Sequence, residues 1–89
     1  DLYLGDVGQG HSEEIDRVLL PPEGWGGDVK RNFGWRCVEG VRCTGQSGCE
    51  CTDPELIAPF AVFDHDVGCA VIGGHVYRGC SIPALRGWY

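Results

Sequence analysis

Three groups of side chains in this sequence have the types and spacing that do chemistry. The first is Glu13-Glu14 with Asp16, whose carboxylates could supply oxygen ligands to calcium. No EF-hand spacing accompanies them, so the same residues also read as a solvated acidic edge. The second is Asp64-His65-Asp66, where two carboxylates beside an imidazole could hold a cation; the plainer reading is a polar loop tip. The third is the cysteine set, Cys37, Cys43, Cys49, Cys51, Cys69 and Cys80. Structural zinc asks for paired knuckles, and only the Cys49-x-Cys51 pair comes close, with no matching knuckle. Disulfides are therefore expected for all six cysteines, which points to an oxidising compartment, extracellular or secretory-lumenal. Cys49 and Cys51 are poorly placed to bond to each other, so Cys43 is expected to close on one of them. His11, His65 and His75 are scattered, no glycine-rich phosphate loop opens a helix, and no Gly-x-Ser-x-Gly occurs.

These groups need elements to position them, and the elements read as short. Leu2-Tyr3-Leu4 is a strand signal ended by Gly5-Asp6 and Gly8. Ile15 to Leu20 fits either a strand or two turns of helix, because Ile15, Val18 and Leu19 fall at helical spacing and Pro21-Pro22 stops the run. Residues 23–32 read as a loop. Gly40 to Pro54 is polar, too long for a simple turn and poor in apolar residues, so crosslinks must hold it. Pro59 to His65 alternates as a strand, and Ala70 to Arg78 reads as a strand interrupted at Gly73-Gly74. The sum is four to six short strands and one helical turn, an all-β chain.

Composition sets the limits. The chain has 89 residues, with 15 glycines and 5 prolines, and acids outnumber bases 13 to 7 for a net charge of −6. That balance speaks against nucleic acid or an anionic membrane as partner, since phosphate binding needs clustered Lys and Arg. No apolar run is long enough to span a bilayer. Strand-like residues at both ends lead us to expect a fragment of a larger domain.

Three ordered segments carry a resemblance. They are Asp1-Leu2-Tyr3-Leu4-Gly5-Asp6-Val7-Gly8-Gln9 with Glu13-Glu14-Ile15-Asp16; Asn32-Phe33-Gly34-Trp35-Arg36 with Glu39-Gly40; and Gly73-Gly74-His75-Val76-Tyr77-Arg78-Gly79 with Pro83, Leu85, Gly87 and Tyr89. Together they resemble the glucose/sorbosone dehydrogenase family. The likeness spans nearly all of residues 1–89, with Leu20–Arg31 and Arg42–Pro54 as insertions between the motifs.

The resemblance implies one to two blades of a six-bladed β-propeller with disulfide-linked loops, the remaining blades lying elsewhere. It implies an extracellular quinoprotein that oxidises sugar hydroxyls with pyrroloquinoline quinone and calcium. Main-chain carbonyls at Gly8 and Gln9 would hold the cofactor's calcium, Gln9 standing where the enzymes have proline. Glu14 and the carbonyl of Phe33 match a second, structural calcium. His65 opens the stretch to Val71 that lies where the enzymes cover the quinone. The catalytic histidine of the family falls upstream of Asp1, so no catalytic residue is assigned here. Cys80 after Tyr77-Arg78-Gly79, and the cysteine-rich insertion after Trp35, are closer to the hedgehog-interacting protein-like branch. That branch implies a non-catalytic propeller with extracellular protein or glycan partners.

Overall fold

A computed structural model describes residues 1–22 and 30–89. Among them the elements are β1 (Leu2–Asp6), β2 (Ser12–Val18), β3 (Val38–Glu39), β4 (Arg42–Cys43), β5 (Ala61–Asp64) and a 3-10 turn at Pro83–Leu85. The chain is all-β. Most of the loop expected over residues 23–32 lies outside the described residues; Asn32 at its end forms a parallel bridge to Leu56.

β2 settles the helix-or-strand question as a strand. Two turns of isolated helix are marginal in water, whereas β2 gains a ladder on each side. It is the central strand of an antiparallel sheet ordered β1-β2-β5. Leu2 pairs with Val18 and Asp6 with Glu14; on the other side Ser12 pairs with Asp64 and Ile15 with Ala61. β3 and β4 form a separate short hairpin through Gly40, whose positive φ of 63° is the conformation such a tight loop needs.

Side-chain alternation gives the three-stranded sheet two unlike faces. Asp6, Glu14 and Asp16 share one face, which the segment around Trp35 to Gly40 covers. The other carries Tyr3, Gly5, Glu13, Ile15 and Arg17, and the C-terminal segment lies on it. There Tyr3 stacks on Tyr89 at 4.9 Å and meets Phe60 edge-on at 5.5 Å. Arg17 lies over both rings at 5.9 and 5.8 Å and holds Asp1 at 2.6 Å. The C-terminal segment sits so close that a Cβ on Gly5 would stand 2.6 Å from the amide nitrogen of Gly73.

That contact also explains why Ala70 to Arg78 forms no strand. The Val71 amide donates to the Glu13 side chain at 3.0 Å instead of to a ladder. Gly73 has a positive φ of 97°. Further on, the Tyr77 amide donates to the Trp88 carbonyl and the Gly87 amide to the Tyr77 carbonyl, an isolated exchange near the end of the chain.

Ile15 and Val18 are the buried hydrophobic residues among those described. The molecule is a slab, 49 × 38 × 16 Å, with a radius of gyration of 15.1 Å. A compact chain of this length would have roughly 12 Å. Phe60, Ile72, Ile82 and Trp88 are among the large apolar side chains left exposed.

Disulfides hold the polar stretch after Trp35, as expected. They join Cys37 to Cys49 and Cys43 to Cys51, so Cys43 closes on one of the two partners weighed for it. The expectation of six bonded cysteines is corrected: Cys69 and Cys80 are exposed thiols. Cys69 Sγ lies instead against the His65 carbonyl at 3.6 Å. Alkylation of the unreduced chain is expected to label Cys69 and Cys80 alone, read by mass spectrometry of the digest. Each native bridge should contribute about 2–3 kcal/mol; label on Cys37 or Cys51 before reduction would contradict the pairing.

Candidate functional site

The turn from β1 to β2 is built around one carboxylate. Glu39, on β3, is buried, and its Oε1 accepts the amides of Gly10 at 3.0 Å, His11 at 2.6 Å and Ser12 at 3.0 Å. Burial by itself would raise the Glu39 carboxyl. The amides of Ser12, Gly10 and His11 outweigh it, with help from the His11 imidazole, and hold it at about 2. The loop peptides are trans, so a carbonyl points opposite to the amide that follows it. Because the Gly10 and His11 amides aim at Glu39, the Gln9 and Gly10 carbonyls face away from it. Gly8 is fixed by space: a Cβ there would stand 1.7 Å from the Ser12 carbonyl oxygen.

Gln9 lines a cleft of about 210 Å³ together with Trp35, Arg42 and Gln46. Gly8 lines a cavity of only about 10 Å³, with Asp6, Glu14 and Glu39 on its wall.

That small cavity adjoins a row of acids. Asp6 pairs directly with Glu14 across the β1–β2 ladder, and Asp16 lies two residues further along the same face. Carboxylate oxygens of Asp6, Glu14 and Asp16 lie within 4.8 Å of one another. Glu14 Oε2 accepts the Gly40 amide at 2.5 Å. Asp16 is 1% exposed, and neither of its carboxylate oxygens has a hydrogen-bond partner. Burial pushes the Glu14 carboxyl up to about 7; the Gly40 amide opposes this, and the charges of Asp16, Asp6 and Glu39 add to it. Burial and then Asp6 push Asp16 up to about 6. The reading of Glu13-Glu14 with Asp16 as a solvated edge is thus corrected: all three are buried. Sheet pairing on both sides of β2, and segments packed on both faces, remove them from water.

Phe33 does not share the cavity of Glu14. It lines a separate cleft of about 320 Å³ with Val38, Gly40, Leu56 and Ile57.

His65 belongs to the opposite face. Its Nε2 lies 2.7 Å from Glu13 Oε1, and Glu13 is 2% exposed. The His65 amide donates to the His11 carbonyl at 3.2 Å, which ties the segment after β5 to the same β1–β2 loop. Asp64 accepts the Ser12 hydroxyl at 3.2 Å, while Asp66 is exposed. The structure therefore gathers Gly8, Gln9 and Glu14 around one loop, brings His65 to that loop through its backbone, and places Phe33 in a neighbouring cleft that shares Val38 as a wall.

Asp6 and Glu39 are the site residues that spacing alone passes over; Asp16 is already among the candidate calcium ligands. The period-two alternation of β2 was the available signal for Asp16 sharing a face with Glu14. Nothing local marks Glu39, whose partners lie 27 to 29 residues away.

No protein-family model matches the chain, and no solved structure matches it. Among the described residues no helix is long and apolar enough to cross a membrane.

Proposed function

We propose that this chain is part of an extracellular β-propeller of the glucose/sorbosone dehydrogenase type, which oxidises sugar hydroxyls with pyrroloquinoline quinone and calcium. The observation that carries this reading is the loop from Val7 to His11. Glu39 gathers the amides of Gly10, His11 and Ser12, and the Gln9 carbonyl is thereby turned outward. A carbonyl held by a rigid backbone is the kind of hard oxygen ligand calcium takes. The chemistry that the quinone with its calcium supplies, when bound, is acceptance of a hydride from the sugar. The chain's own part is to hold the loop in shape, through Glu39, and to place His65 beside it, through the His11 carbonyl. The flatness of the slab and its exposed apolar faces suit a sheet that packs between neighbours. Two disulfides suit an extracellular setting.

A second reading rests on a different observation. The cleft beside Gln9 is walled by the disulfide-bonded loop through Arg42, Cys43 and Thr44, and Trp35 in it is 59% exposed. An aromatic and an arginine on a crosslinked loop are typical anchors for a protein or glycan partner. This favours a non-catalytic binding propeller of the hedgehog-interacting type.

The test is to add pyrroloquinoline quinone and calcium to the folded full-length protein. Calcium-dependent cofactor absorbance with sugar-dependent dye reduction is the expected result. No uptake by a folded protein would overturn the enzyme reading in favour of the second.

A further inference from the structure

Strand register places like charges where water cannot separate them. Asp6 stands directly opposite Glu14, and Asp16 follows on the same face. Directly opposed like charges destabilise a sheet even at its surface, and an isolated buried carboxylate costs far more. Among the described residues no arginine or lysine pairs with them: Arg17 pairs with Asp1, and the His65 ring meets Glu13, both on the other face. Glu14 spends one oxygen on the Gly40 amide and keeps the other. Asp16, 1% exposed, has both oxygens unpartnered and within reach of the other two acids. A buried polar group without a partner calls for an explanation, and an ion is one of the few available.

We propose that Asp6, Glu14 and Asp16 bind one hard divalent cation of the calcium class, which joins β1 to β2. The donor set is all oxygen, which suits calcium and not the nitrogen- and sulfur-seeking metals. Oxygens bound to one calcium at about 2.3–2.6 Å lie no more than about 5 Å apart, and the three side chains here meet within 4.8 Å. The adjoining cavity of about 10 Å³ on Asp6 and Glu14 has room for one further small ligand such as water. Asp6 and Asp16 are not among the residues that the family resemblance assigns to calcium. Glu14 is shared with the structural calcium that the resemblance implies, so the variants at Asp6 and Asp16, which that resemblance does not use, are what separate the two; the ion would serve the strand pair and not a cofactor.

The test uses the full chain, stripped with a chelator and titrated with calcium chloride alone, without quinone or sugar. Calorimetric binding and thermal melting are recorded together. The wild-type chain is expected to bind one ion with a saturable rise in melting temperature. Asp16→Asn, which keeps the side-chain shape, should weaken binding at least about tenfold. Asp6→Asn, at a less buried position, should weaken it too and guards against misfolding of the first variant. Glu55→Gln, an exposed acid outside every candidate site, should bind like wild type. Absence of saturable binding by the folded wild-type chain would overturn the proposal. So would equal affinity in wild type, Asp16→Asn and Asp6→Asn. Quinone uptake is a separate readout, and its failure beside intact calcium binding would count against the proposed enzyme alone.

Discussion

Gly8→Ala is expected to cost the fold more than about 3 kcal/mol, while Gly10→Ala, two residues along the same loop, should change stability by less than about 1 kcal/mol. Neither glycine has a left-handed backbone, so conformational preference does not separate them. Space does. A methyl group at Gly8 would stand 1.7 Å from the Ser12 carbonyl oxygen and 2.6 Å from Glu39 Oε1, while a methyl at Gly10 meets nothing within 4 Å. The Glu39 side chain could give way, but the Ser12 carbonyl is backbone at the start of β2 and cannot move without disturbing the sheet. Urea unfolding of both variants followed by tryptophan fluorescence would measure the difference. Equal stabilities would show that the loop is looser than its geometry implies.

Glu39→Ala is expected to cost about 3 kcal/mol, and Glu39→Gln less. A charged acceptor contributes roughly 1.5–3 kcal/mol per hydrogen bond, but amides that reach water recover part of the loss. Gly10 and His11 are exposed and can do so; Ser12 is buried and cannot. Amide exchange read residue by residue should show protection lost at Gly10, His11 and Ser12. The acid limb of the stability curve gives a second readout. The Glu39 carboxyl is lowered in the folded chain from 4.5 to about 2, so the folded state binds its proton less readily than the unfolded state. Its contribution is fully present above about 4.5 and is lost as pH falls towards 2. Glu14, raised to about 7, works in the opposite sense, its contribution falling as pH rises from 4.5. The difference between wild type and Glu39→Gln isolates the Glu39 limb. It should shrink between pH 4.5 and 2; a difference that stays constant over that range would count against the carboxylate as the anchor.

Much of the sheet was legible in the residues. Leu2-Tyr3-Leu4 and the alternation after Pro59 announce β1 and β5. β2 was ambiguous because Ile15, Val18 and Leu19 satisfy helical spacing as well, and only pairing on both edges decides it. Burial was not legible at all: Glu13, Glu14 and Asp16 look solvated because polarity reports what a side chain prefers, not what packs over it. Gly73-Gly74 was seen as a disturbance of a strand, but it lies in a segment whose Val71 amide goes to Glu13, so no ladder forms there. For the cysteines, residue type gave the chemistry, while partners depended on which loops meet. Glu39 stayed hidden because its three amide partners are brought to it by the sheet and not by sequence.

The three amides on Glu39 also bear on how β2 finds its alignment. A slip by one residue would turn every β2 side chain to the other face. It would carry Arg17 across to the face of Asp6 and move Asp16 away, so electrostatic attraction would favour the wrong pairing. Adjacent Glu13 and Glu14 offer little discrimination, since one glutamate would replace the other. A slip that lengthens the Val7–His11 loop draws its amides off Glu39, and one that shortens it runs into the crowded Gly8. Glu39 therefore acts as a ruler for strand pairing. Where its grip is lost, two alignments compete, and the damage would appear as heterogeneity in the folded population before it appears as a lower melting temperature.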